Sequence, residues 1–223
     1  NFLLFTPMLP QVASGTIETR HIVTPVRTLI KKTKFYEAKI KNIDPHGKIV
    51  TLFGTTENRG MRIHYDFLVV ALGSQTNFFG LKDVEENSYK MSTINDAILL
   101  RNRIIDLLEQ AENETDPIMR KRFLQLVIVG GGFAGVETAG EINDFINEVA
   151  EYYPSISYKD VKVTLIEASS EILAGFPQKL AEFAKDKLVE RGVEVILDAG
   201  VTSFNGQEVM LKSQAESNKV LIG

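Results

Sequence analysis

Three glycines at fixed spacing, Gly130, Gly132 and Gly135, stand in the stretch Leu126 to Ile142, LVIVGGGFAGVETAGEI. G-x-G-x-x-G is a pattern for holding a diphosphate against bare backbone. The first glycine suits a tight turn, the second lets the backbone approach a pyrophosphate, and the third lets a helix pack close to a strand. Free N–H groups at a helix start, with the positive end of its dipole, favour bound phosphate. A lone triplet also fits a plain flexible loop, so its flanks decide its meaning. Leu126-Val127-Ile128-Val129 reads as a short buried strand. Phe133, Val136, Ala139, Ile142, Phe145, Ile146 and Val149 recur at three- and four-residue spacing, which reads as a helix. Gly130 to Gly135, with Gly131, Phe133 and Ala134 included, is therefore the candidate cradle for a dinucleotide.

The next strand selects the nucleotide. Val161 to Ile166 alternates, then runs apolar, and ends in Glu167. An acid at that tip accepts hydrogen bonds from both ribose hydroxyls. It would repel a 2′-phosphate, and Ala168-Ser169-Ser170-Glu171 supplies no Arg or Lys to hold one. This favours NAD over NADP. A solvent-exposed Glu at a strand end is the plain alternative. Glu167 also follows the glycines at more than the usual spacing of about 20 residues. An extended connection, Glu151 to Asp160, accounts for the excess.

The elements that must position these residues can be read along the chain. Residues 1 to 23 read as extended or irregular, punctuated by Pro7, Pro10 and Gly15. Thr24-Pro25 reads as the cap and first position of a short helix. Phe35 to Ile43 and Lys48 to Phe53 read as a hairpin around Asp44-Pro45-His46-Gly47. Asn58-Arg59-Gly60 turns again into Met61 to His64. Phe67 to Leu72 is apolar enough for a strand buried on both faces. Residues 75 to 91 read as a connection. Ser92 or Thr93 caps a long helix to about Glu112, and Ile118 to Phe123 adds a helical turn. Lys179 to Arg191 reads as a helix stopped by Gly192, and Val193 to Leu197 as a third strand. Val201 to Phe204 and Glu208 to Lys212 pair around Asn205-Gly206, with Val220 to Ile222 as the next strand. The expected fold class is α/β, with βαβαβ over 126 to 197 and a β-meander after it.

Composition narrows the functions. The 223 residues allow one large domain or two small ones, and a 44% apolar fraction allows a core. A net charge of −4 gives no electrostatic case for nucleic acid. With no cysteine, disulfide scaffolds, Cys-based zinc sites and Cys-x-x-Cys redox pairs are excluded. His21, His46 and His64 lie far apart and make no metal spacing. No apolar run approaches the roughly 20 residues that span a bilayer, and the apolar start lacks the basic region of a signal peptide.

Together these pieces resemble the type II NADH dehydrogenases. Phe5-Thr6-Pro7-Met8-Leu9-Pro10-Gln11-Val12-Ala13-Ser14-Gly15 resembles their segment beside the flavin ring. Tyr65 to Ser74 resembles the second flavin-contacting strand of the wider two-dinucleotide-domain flavoproteins. Thr76-Asn77-Phe78-Phe79-Gly80 follows as in the type II enzymes, and Val129 to Glu141 is similar to their NADH loop. The resemblance implies a Rossmann-like NADH-binding domain with its β-meander, inserted in a partial FAD-binding domain. It assigns residues 1 to 91 to the flavin domain and 92 to 223 to the NADH domain. It implies FAD and NADH as cofactors and a membrane quinone as electron acceptor. Thr6 and Pro7 become neighbours of the flavin ring, Ala38 a backbone contact to its adenine, and Ala71 and Gly73 close approaches to the flavin. Glu137 resembles the glutamate that faces the nicotinamide, a first-turn Glu favoured by the helix dipole being the alternative. Three expected parts lie outside these residues: the flavin diphosphate loop, a later Gly-Asp segment, and C-terminal quinone-site and amphipathic helices. The expectation is that this is a fragment of a longer protein, attached through that C-terminal region to the cytoplasmic face of a membrane or to the mitochondrial inner membrane. A homodimer is one state the sequence leaves open. Two rivals stand beside this reading: a flavin reductase of ferredoxin-reductase type, and a non-catalytic NADH-sensing flavoprotein.

Overall fold

A three-stranded parallel sheet carries the glycine loop. The computed structural model describes residues 2–54, 60–213 and 219–222. In chain order its elements are β1 (Phe2–Leu4), α1 (Leu9–Ala13), β2 (Val23–Pro25), α2 (Val26–Leu29), β3 (Ala38–Asp44), β4 (Ile49–Gly54) and β5 (Gly60–His64). There follow α3 (Lys82–Asn87), α4 (Ile94–Asn113), α5 (Pro117–Phe123), β6 (Gln125–Val129), α6 (Phe133–Val149) and β7 (Lys162–Ile166). The last are α7 (Gln178–Glu190), β8 (Glu194–Ile196), β9 (Ala199–Phe204), β10 (Glu208–Ser213) and β11 (Lys219–Ile222). The chain divides into two units. One holds residues 1–4 and 23–75, and the other 5–22 and 76–223.

In the second unit β6, β7 and β8 pair in parallel, in that order. This is the βαβαβ unit expected from the sequence, with α6 and α7 as its crossovers. β7 is the central strand. Its Val163 and Leu165 enter a core built with Ile104, Leu108 and Ala111 of α4 and Ala139, Ile142 and Ile146 of α6. Ile166 faces the other way, onto Ala199, Val209 and Leu211 of the antiparallel meander β9-β10-β11. The period-2 alternation of a strand thus serves two cores. β6 is only half-buried, and its Val129 is 57% exposed, against the expectation of a fully buried strand. The cause is its place at the edge of the described sheet, with a neighbour on one side only.

Local chemistry sets the boundaries. Thr93 caps α4 through a reciprocal capping box with Asp96. Gly192, at φ +97°, ends α7. Gly206, at φ +89°, turns β9 into β10, and Asn205 accepts the N–H groups of Gln207 and Glu208.

Several expectations are corrected. Residues 67 to 72 form no strand, and Phe67 and Val69 are 95% and 88% exposed. A strand needs a ladder partner, and none of the described strands pairs with this run. Residues 1 to 23 are not irregular throughout: α1 lies there, with Leu9, Val12 and Ala13 buried against α4 and α6. Five residues are too few to show helical periodicity, and tertiary packing holds them in place. α3 likewise interrupts the expected connection, its Asp83 accepting the Phe204 N–H. Pro25 caps α2 instead of opening it, and Thr24 belongs to β2. The first unit otherwise follows the expectation, with β3-β4-β5 as an antiparallel sheet. The Asn58-Arg59 part of the expected turn lies outside the described residues.

Candidate dinucleotide-binding site

Each glycine of the loop answers a different demand. Gly130 sits at φ +106°, which L side chains rarely adopt. A Cβ on Gly135 would overlap the Gly130 carbonyl oxygen, so the first turn of α6 can lie this close to the loop only with glycine there. Gly131 is buried, and a Cβ there would meet Ile172 and Glu167 at 2.9 and 3.0 Å. Gly132 is the opposite case. It caps α6 in ordinary extended backbone, with nothing within 4 Å of an added Cβ. No side chain caps α6 there, and a helix leaves its first N–H groups without intrahelical partners. The open space over Gly132 is the cradle a pyrophosphate needs.

Glu167 closes the site from the next strand. Its backbone is anchored on both sides: its N–H donates to Ile196 and its carbonyl accepts from Ala199. One carboxylate oxygen accepts the Gly131 N–H at 2.6 Å. The other accepts the Ser169 N–H and hydroxyl at 2.7 and 2.6 Å. Burial pushes the carboxyl pKa up. The hydrogen bonds from Ser169, Gly131 and Ala168 outweigh burial and hold it below the ordinary value of 4.5. An ionised carboxylate offers about four lone-pair sites; Gly131 and Ser169 take three of them, so the oxygen facing Gly131 keeps room for one ribose hydroxyl, and a second hydroxyl would take the place of the Ser169 hydroxyl. Among the described residues no basic side chain hydrogen-bonds to Glu167.

Two contributors escaped the sequence reading. Ser169 organises Glu167, and the Glu-x-Ser spacing of a local side-chain turn could have pointed to it. Ile172, 1% exposed, closes the floor under Gly131, and nothing in its sequence surroundings marks it. Phe133, at the start of α6, packs edge-on to Phe176 with centroids 4.8 Å apart.

The remaining candidates are distributed. Glu137 is exposed and lies in the second turn of α6, whose first turn holds no acid. The dipole effect fades within the first turn, so the first-turn explanation for this residue falls away. Thr6 and Pro7 are exposed and lead directly into α1, in the second unit. Ala38, Ala71 and Gly73 belong to the first unit. Gly73, at φ +77°, has open space where its side chain would be, which fits a close-approaching flavin. Among the described residues no helix is long and apolar enough to cross a membrane.

A parallel βαβ unit with a bare glycine loop and an acid at the second strand tip defines a dinucleotide-binding protein of Rossmann type. The chain belongs to the pyridine nucleotide-disulphide oxidoreductase family, whose pattern matches residues 1–222. It is 38% identical to the external alternative NAD(P)H-ubiquinone oxidoreductase B3, mitochondrial, of Arabidopsis thaliana, over 96% of this chain and 39% of that protein. It is 35% identical to the external alternative NADH-ubiquinone oxidoreductase, mitochondrial, of Yarrowia lipolytica, over 92% of this chain and 37% of that one. The resemblance to type II NADH dehydrogenases is thereby borne out. The structure of NDH2 from Plasmodium falciparum in complex with NADH superposes with a TM-score of 0.84, at 27% identity, over 100% of this chain and 46% of that one. The chain thus spans less than half the length of these relatives.

Proposed function

We propose that this chain is the NADH-binding part, with a portion of the flavin part, of an FAD-dependent NADH:quinone oxidoreductase. The observation that carries the reading is the pairing of an open Gly132 with a carboxylate that the loop itself orients, Glu167 on the Gly131 N–H. Gly132 and the first N–H groups of α6 would hold the pyrophosphate. Glu167 would take the adenosine ribose and exclude a 2′-phosphate. Glu137, one turn further along α6, would face the nicotinamide and orient it. Thr6 and Pro7 would lie along the flavin ring, with Ala38, Ala71 and Gly73 against the rest of that cofactor. When bound, FAD would accept a hydride from NADH and supply two electrons for reduction of a quinone. The protein's part is to place the two rings and keep water away from them. The similarity to NAD(P)H-ubiquinone oxidoreductases supports ubiquinone as acceptor and the mitochondrial inner membrane as location. Membrane attachment would come from amphipathic helices outside this chain, lying in the interface.

The test is NADH absorbance in the full-length protein with a short-chain quinone. Fast, flavin-dependent oxidation supports the reading, without a proton gradient in sealed vesicles. Reduction of ferredoxin in place of quinone would move the protein to the ferredoxin-reductase type. Binding of NADH with no turnover would make it a sensor.

A further inference from the structure

α1 and α6 are tied by one carboxylate. Glu141, one helical turn beyond Glu137 on α6, accepts the Gln11 amide N–H at 3.1 Å on one oxygen. Its other oxygen accepts the Ser14 hydroxyl at 3.0 Å. The Thr16 hydroxyl stands 2.8 Å from Ser14 Oγ and can donate to it, and the Ser14 proton is then shared between Glu141 and the Gln11 backbone carbonyl, each 3.0 Å away. Ser14 is buried, and the Gln11 amide oxygen is buried with no hydrogen-bond partner among the described residues. That orphaned oxygen is the cost of aiming the amide nitrogen at the carboxylate. The helix dipole does not explain the arrangement, since an anion at the C-terminal end of α1 is electrostatically disfavoured. The segment so held is the one that leads out of Thr6-Pro7, and the helix that holds it carries the glycine loop and Glu137.

We propose that Glu141 is a positioning residue, fixing the separation between the flavin-side segment Thr6-Pro7 and the nicotinamide-side Glu137. This rests on the function proposed above. Both segments lie in the second unit, so the two links make one frame for the two rings. Two charge-assisted hydrogen bonds to opposite oxygens of one carboxylate restrain rotation as well as distance. Hydride transfer is sensitive to such placement, since a misplacement of about 1 Å can cost on the order of 100-fold in rate.

The test uses the full-length, flavin-loaded protein with Glu141→Gln, and the double swap Gln11→Glu with Glu141→Gln. The amide at 141 keeps the shape but accepts only one of the two donors. In the swap, amide and carboxylate trade helices and both links can re-form. Anaerobic mixing with NADH is followed at the flavin absorbance and at the long wavelengths where stacked nicotinamide and flavin absorb. NAD⁺ affinity and Tm are measured alongside. The single variant is expected to slow flavin reduction about tenfold or more and to weaken the long-wavelength band. NAD⁺ affinity should stay within about twofold, since the glycine loop is untouched. The swap should restore both rate and band. Unchanged rate and band, or a swap that restores Tm but not rate, would overturn the proposal. If Glu141→Gln does not fold, Ser14→Ala removes a single link, and a wild-type rate and band in that variant would overturn it too. Wild-type protein whose flavin NADH does not reduce would sink the proposed function and this reading together. A normal wild type with an unaffected variant would sink this reading alone.

Discussion

The backbone N–H of Gly131 donates to the carboxylate of Glu167 across 2.6 Å, joining the glycine loop to the tip of the neighbouring strand. The two motif elements are therefore one object. Glu167 orients the loop through Gly131, and the loop, with Ser169, keeps Glu167 ionised and aimed. A ligand meeting either element meets both.

Gly132→Val should abolish dinucleotide binding and leave the fold. The residue has ordinary backbone angles and open space around its Cβ position, so the protein tolerates the side chain. The cost to stability should stay near 1 kcal/mol, the scale of changing a helix N-cap. The two methyl groups would occupy the space of the pyrophosphate. Calorimetry with NAD⁺ checks it, with circular dichroism for the fold; normal affinity would remove the loop as the binding site.

Gly135→Ala should do the reverse, acting on the fold first. Its Cβ would overlap the Gly130 carbonyl oxygen, and backbone cannot yield as a side-chain end can. Overpacking of this kind costs about 1–3 kcal/mol. Urea unfolding should show a lower midpoint with an unchanged m-value. An unshifted midpoint would mean that α6 does not lie this close to the loop.

The Glu167 carboxyl is held below its ordinary value of 4.5 in the folded protein. A group so depressed contributes stability above its unfolded pKa, and loses it as pH falls through the folded pKa. The Tm advantage of wild type over Glu167→Gln should therefore be constant from pH 8 to about 5.5 and close in acid, below the ordinary carboxylate range. The advantage should be small, because a half-buried carboxylate still reaches water and is partly screened. An advantage that grew on acidification would contradict the hydrogen-bond arrangement.

What the sequence made legible were the features with strong local physics. The β6 to α6 switch of period, the Thr93 cap, the Asn205-Gly206 hairpin and the Glu167 strand tip all depend on neighbours in sequence. Phe67 to Leu72 misled because an apolar run gives the demand for burial and not the partner that meets it. α1 went unread because its helix comes from packing of Leu9 and Val12 against α4 and α6, far away in the chain. Ile172 and Ser169 reach the site through a loop whose course no periodicity describes.

The central claim is that Glu167 reads the adenosine ribose. NAD⁺ and NADP⁺ titrated calorimetrically into full-length protein, wild type and Glu167→Ala, test it most directly. Wild type should prefer NAD⁺. The variant should lose about 1–3 kcal/mol of NAD⁺ affinity, the scale of removing a charged hydrogen-bonding group, and most of its discrimination against NADP⁺. Equal wild-type affinity for the two dinucleotides, or a variant that still discriminates as wild type does, would contradict the account.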